Sequence, residues 1–233
     1  MTALLNFPKL IVAAVNGPAV GVGVTLLPHC DIAYAYGGKG GISNKMPEWE
    51  MAMVHANTAR QEGNRKALSS KEAAGDGGGG ATPNAAATAA TFWTPFFRLA
   101  IVPEFCSSVV FPEILGWALA NDMLVLGRKL TADEALRAGL VSRVITADTR
   151  EDFLDQIQAD LRESVLGHYM AKESCETFKR VMWDERRPRL IRVLKMELAE
   201  LDRRMQAGYP KAALEHLTKS AVAAGAAARR SKL

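Results

Sequence analysis

The sequence predicts an α/β fold, and three observations carry that prediction. A short β-branched apolar run, Leu10-Ile11-Val12-Ala13-Ala14-Val15, is closed by Asn16-Gly17-Pro18, which is the pattern of a buried strand ending in a turn. Small residues from Ala19 to Gly23 then lead into a buried helix reaching Cys30, and Asp31-Ile32-Ala33-Tyr34-Ala35 follows as a second strand. Strand, glycine turn, helix, strand is the order of α/β folds with tight crossovers. Beyond Asp148 the apolar residues recur at helical spacing, Phe153, Ile157 and Leu161 on one face and then Leu190, Val193, Leu194, Leu198 and Leu201, so a helical module follows the α/β part.

The remaining elements can be taken in order. From Gly37 to about Ala90 the chain is rich in Gly, Ala, Asn, Lys and Glu and contains Gly77-Gly78-Gly79-Gly80. Such a composition buries too little apolar surface to offset its ordering entropy, and the segment reads as an insertion. Order resumes at Thr91-Phe92-Trp93-Thr94-Pro95-Phe96-Phe97, and Ser107 to Leu115 and Gly116 to Leu126 read as helices. Thr131 followed by Glu134 forms a capping box that opens another helix, Gly139 closes it, and Leu140 to Ile145 is a strand. Pro188 and Gly208-Tyr209-Pro210 separate the later helices. The expected organisation is an α/β core over residues 1–147 including the insertion, a helical module over 148–222 and a flexible tail over 223–233.

Composition narrows the function classes. In 233 residues, 48% are hydrophobic and 23% charged, the balance of a globular protein with a sizeable core. The net charge is +4, with Lys and Arg spread along helical segments, so there is no basic stripe for nucleic acid. Cys30, Cys106 and Cys175 are odd in number and far apart, which suggests neither a disulfide framework nor a zinc site. The N-terminus lacks the basic lead and apolar run of a secretory signal. The longest apolar stretch, Leu10 to Leu27, is broken by Asn16, Gly17 and Pro18 and makes a poor membrane span. Ser231-Lys232-Leu233 is the peroxisomal address read by an import receptor at a free carboxyl end. It places the expected location in the matrix of peroxisomes or a glycosome-type relative.

Several blocks together resemble one family. Ile11-Val12-Ala13-Ala14-Val15-Asn16-Gly17-Pro18-Ala19-Val20-Gly21-Val22-Gly23, followed by Cys30-Asp31-Ile32, is similar to the signature of the enoyl-CoA hydratase/isomerase, or crotonase, family. Phe92-Trp93-Thr94-Pro95-Phe96, then Pro103-Glu104-Phe105-Cys106-Ser107-Ser108, resembles its peroxisomal Δ3,Δ2-enoyl-CoA isomerase branch, in which a glycine usually stands at the position of Phe105. Leu126-Gly127-Arg128-Lys129-Leu130-Thr131-Ala132 and Gly139-Leu140-Val141 are further family phrases. The resemblance implies the crotonase spiral of ββα units with a C-terminal helical module. It also implies a trimer or a pair of trimers, an acyl-CoA substrate and no metal or redox cofactor. The chain starts almost at the signature strand, so the earlier strands and the other oxyanion donor of the family are expected to be missing.

Shifting a 3,4 double bond to the 2,3 position of an acyl thioester removes a proton beside the carbonyl and returns it two carbons along. The dienolate between the two steps puts negative charge on the thioester oxygen, so the site needs fixed N–H donors and one base that shuttles the proton. By family position the Val22 N–H is a donor, within the turn Ala19, Gly21 and Gly23 that would meet the substrate. Glu104 is the candidate shuttle: it ends the apolar run Leu99 to Pro103, and such surroundings raise a carboxyl pKa. The competing reading is a surface glutamate after a loop proline. Family hydratases use two glutamates, at positions where this chain has Thr25 and Phe96, so the resemblance favours a single-base isomerase. Phe92, Trp93, Phe96 and Phe97 either line or back the acyl pocket or simply pack the core. His29 beside Cys30 lacks the third group that orients a nucleophile pair. Two other readings remain open: an inactive acyl-CoA-binding partner subunit, and a thioester hydrolase whose water-activating group is not evident.

Overall fold

A computed structural model describes residues 2–38 and 89–230, the last ten of them by backbone alone. The bulk of the insertion and the terminal Ser231-Lys232-Leu233 lie outside the described residues. The chain divides into two compact units, Met1–Ser43 with Asn84–Pro210, and Asn44–Pro83 with Lys211–Leu233.

The first unit opens with α1 (Thr2–Leu5), β1 (Val12–Val15), β2 (Ala19–Val20), a one-turn α2 (Val22–Thr25), a 3-10 turn (Leu27–His29) and β3 (Ile32–Tyr36). After the insertion come β4 (Thr91–Trp93), α3 (Ser107–Leu115), α4 (Trp117–Leu124), β5 (Leu130–Thr131), α5 (Ala132–Arg137) and β6 (Arg143–Ile145). Then follow α6 (Arg150–Leu161), a π-helical turn (Arg162–Leu166), α7 (Ala171–Trp183), α8 (Arg186–Gln206) and the start of α9 (Tyr209–Arg230). In the second unit the described residues are the continuation of α9, helical through Arg230. The stretch expected as a flexible tail from residue 223 is thus helical backbone as far as Arg230, in keeping with alanine's leading helix propensity.

Two three-stranded sheets form, ordered β1-β3-β6 and β2-β4-β5. The first is wholly parallel, while in the second β4 runs parallel to β2 and antiparallel to β5. Strand alternation explains how β3 serves two cores. Ala33 and Ala35 point into the main core with Val24, Leu27 and Phe92, while Tyr34 and Tyr36 face Phe153 and Ile157 of α6. A third cluster joins Leu5, Cys106, Val110, Trp183, Leu190 and Leu194. The helix anticipated between Ala19 and Cys30 is shorter than its apolar run suggests. Gly21 sits at φ 57° and ψ −120°, and Pro28 lies in the 3-10 turn. Two glycines and a proline within so short a stretch shorten the helix.

Three local predictions hold. The Thr131–Glu134 capping box is complete, with each side chain bonded to the other's backbone N–H. Gly139 closes α5 at φ 77°. Pro188 falls in the first turn of α8, where its missing N–H costs nothing. The two ends of the insertion meet: Ala90 N–H donates to the Tyr36 carbonyl at 2.8 Å and Gly37 N–H to Ile145 at 2.8 Å. The chain therefore returns to the end of β3, where it departed.

Candidate active site

The site is built where the glycine turn meets the loop before α3. Gly21 N–H donates to the Trp93 carbonyl at 2.8 Å, which ties the turn to the end of β4. Its backbone conformation is one that side chains adopt only under strain. A Cβ built on Gly21 would stand 3.6 Å from Glu104 Oε1 and 3.9 Å from the Phe96 ring. The turn, Glu104 and Phe96, separated by some 75–85 positions, therefore share one spot. Val22 and Gly23 open α2, and the first N–H groups of a helix have no intrahelical acceptor. Val22 is 44% exposed.

Glu104 is half-buried, and its carboxyl is pushed above the usual range, first by burial and then by the negative charge of Glu197. Among the described residues no donor is bonded to the Glu104 carboxylate. That combination suits a base that must take up and release a proton.

An unusual turn presents Glu104. Phe105 and Cys106 both have positive φ, 56° and 65°, and Cys106 N-caps α3. A glycine would take the first of these conformations freely, whereas a phenylalanine there costs about 1–2 kcal/mol. Three contacts hold the turn. His29 Nε2–H donates to the Phe105 carbonyl at 2.7 Å, with the two rings 5.0 Å apart. The Cys106 thiol donates to the Leu190 carbonyl at 3.2 Å. Glu197 accepts from Cys106 N–H at 2.6 Å, from Ser108 N–H at 3.1 Å and from the Ser108 hydroxyl at 2.5 Å. Burial pulls His29 down to about 4, outweighing its bond to Phe105, so it is neutral at pH 7. The Cys106 thiol is pushed up to about 12, by burial first and the Glu197 charge second. A protonated thiol is a donor, not a nucleophile.

The other predicted residues fall as follows. Thr25 is wholly buried, and among the described residues its hydroxyl has no hydrogen-bond partner. Phe96 packs in the main core while its ring edge reaches Gly21. Phe92 lies wholly in that core, on β4 opposite Ala19, and Phe97 is 72% exposed. The structure brings together Gly21, Glu104 and Phe96, and it adds Glu197 and His29 as supports for the turn. Glu197 left one signal in the sequence: it continues the stripe Leu190, Leu194, Leu201, where a carboxylate breaks the apolar pattern. Among the described residues no cluster of metal-ligating side chains occurs, and no helix is long and apolar enough to cross a membrane.

Residues 84–209, more than half of the chain, match the family described as Enoyl-CoA hydratase/isomerase. The chain belongs to that family. Among solved structures, OdaA of Pseudomonas aeruginosa is 26% identical with a TM-score of 0.65, covering 93% of this chain and 65% of that one. An enoyl-CoA hydratase/isomerase from Pseudoalteromonas atlantica is 27% identical with a TM-score of 0.65, covering 94% and 65%. Among curated relatives, human chromodomain Y-like protein 2 is 36% identical over 147 residues, 63% of this chain and 19% of the relative. Enoyl-CoA delta isomerase 2 of Rattus norvegicus is 34% identical over 151 residues, 65% of this chain and 26% of the relative. The chain thus spans about a fifth to a quarter of the length of these curated relatives. The crotonase-type α/β fold read from the signature stands.

Proposed function

We propose that this chain is a Δ3,Δ2-enoyl-CoA isomerase that moves a double bond in fatty acyl-CoA through one glutamate, as a step in fatty acid β-oxidation. The observation that carries the reading is the placement of the Glu104 carboxylate against Gly21, at the mouth of α2. A thioester oxygen directed at the Val22 N–H would set the carbon beside the carbonyl within reach of Glu104. Glu104 takes a proton from that carbon, and the charge passes to the oxygen. The backbone N–H steadies it without reorganisation, and Glu104 returns the proton two carbons further along. The raised pKa of Glu104 suits both transfers. Water addition needs two carboxylates flanking the double bond, and the positions that supply them in hydratases hold the buried Thr25 and Phe96. Coenzyme A enters only as part of the substrate. The terminal Ser231-Lys232-Leu233 supports delivery to the peroxisomal matrix by the import receptor.

The test is conversion of a 3-enoyl-CoA to the conjugated 2-enoyl thioester, followed by ultraviolet absorbance, with Glu104→Gln in parallel. Turnover by the parent with a loss of ~10²–10⁴-fold in the variant supports the reading. A parent that binds acyl-CoA without converting it sinks the enzyme reading and leaves an acyl-CoA-binding partner subunit in its place. Conversion of the 3-enoyl-CoA that survives Glu104→Gln sinks the assignment of Glu104.

A further inference from the structure

We propose that Glu197, on α8 of the helical module, is a positioning residue for Glu104: it fastens the left-handed turn that presents the base and adds a second carboxylate to the same region. The inference rests on the isomerase reading only for its kinetic consequence.

Phe105 and Cys106 occupy positive φ without being glycine, so local preference opposes the conformation in which Glu104 points to Gly21. Something outside the turn must hold it. Glu197 is the group suited to do so, because it is 95% buried and bonds the N–H groups on both sides of Ser107. These are the orphan donors at the start of α3. A carboxylate with three donors on its two oxygens is fixed in place and holds both amides at once. It comes from sequence position 197, some ninety residues after the turn, so the C-terminal helices contribute directly to the geometry of the base.

The second consequence is electrostatic. Glu197 donates no hydrogen bond to Glu104, yet its charge acts on Glu104 and on Cys106. Two carboxylates near one site resist ionising together, which keeps the Glu104 proton available. The other charged or titratable groups acting on this region are Arg186 at the start of α8, whose charge reaches His29 and Cys106, and neutral His29 from the 3-10 turn. Arg204 of α8 holds the Ala100 carbonyl of the same loop. None of these shares the bidentate grip that Glu197 has on the turn.

The experiment uses the full chain with carbon-13 in its glutamate carboxyls, as wild type, Glu197→Gln and Glu104→Gln. The resonance missing from Glu104→Gln identifies Glu104, and its titration is followed with pH beside the isomerase pH profile. In Glu197→Gln the Glu104 midpoint is expected to move to lower pH. The acid limb of kcat/KM is expected to move with it, and kcat to fall ~10²-fold from misplacement while KM holds. An unchanged Glu104 midpoint overturns the proposal, whether or not the chain isomerises. A shifted midpoint in a chain without turnover upholds the proposal while the isomerase reading falls alone. Should Glu197→Gln fail to fold, the wild type decides. A Glu104 curve in two coupled steps upholds the proposal, and a single step in the ordinary carboxylate range overturns it.

Discussion

Replacing His29 by Gln should flatten the pH dependence of stability between pH 6.5 and 4. In the folded chain His29 is 1% exposed. Burial pulls its pKa from 6.5 down to about 4. As pH falls below 6.5 the unfolded chain binds a proton at this imidazole and the folded chain does not, so unfolding gains ground until pH reaches about 4. At about 1.4 kcal/mol per pH unit the gap amounts to about 3 kcal/mol. Stability from this residue is therefore complete above pH 6.5 and lost on acidification, the direction opposite to that of Glu104 and Glu197. Their raised pKa values favour the folded chain as they protonate. Those two groups remain in both chains, so the difference between the chains isolates His29. A glutamine keeps an N–H donor for the Phe105 carbonyl and cannot charge. Urea unfolding followed by tryptophan fluorescence at half-unit pH steps measures both chains. Wild type should lose about 3 kcal/mol more than His29→Gln between pH 7.5 and 4. Parallel lines within about 0.5 kcal/mol would refute the buried, neutral histidine and with it the anchor assigned to Phe105.

Three further perturbations follow from the same structure. Gly21→Ala places its Cβ at ordinary contact distance from Glu104 and Phe96 but in a glycine-only conformation. It should cost about 1–3 kcal/mol of stability by denaturant unfolding; a neutral effect would mean that the turn does not hold φ 57°. Lys179 is buried, donating to the Lys9 carbonyl at 2.6 Å and to Asp31 at 2.8 Å. Lys179→Met should destabilise by about 3–5 kcal/mol, because it strands a mostly buried carboxylate; Lys179→Met with Asp31→Asn should recover part of that loss. Joining Gly38 to Ala89 by a short glycine-serine linker should preserve folding and any isomerase turnover, because Ala90 already bonds Tyr36 and loop length carries little entropic cost. Turnover lost in a chain that still folds would show that the excised residues contribute to the site.

Features that depend on local pattern and fixed spacing were legible without the structure. The β1 strand and its Asn-Gly-Pro end, the Thr131–Glu134 box, the Gly139 stop and the helical spacing of Phe153 with Ile157 needed only near neighbours to be legible. The signature from Ile11 to Gly23 and the Pro103-Glu104 block were legible as family phrases, and they already pointed to the turn and the base. Tertiary structure decided the rest, because it depends on contacts between distant residues. β4 is a three-residue strand whose partners, β2 and β5, lie on both sides of it in sequence, so no window around Thr91 reveals it. The conformation of Gly21 at the head of α2 is held by a bond to the Trp93 carbonyl, distant in sequence. The supports of Glu104 come from positions 29 and 197. His29 read as a buried helix residue, and the helical spacing read from Leu190 to Leu201 did not single out Glu197. Each acquires its role only when packing places an imidazole and a carboxylate on a strained turn that neither could find through local sequence.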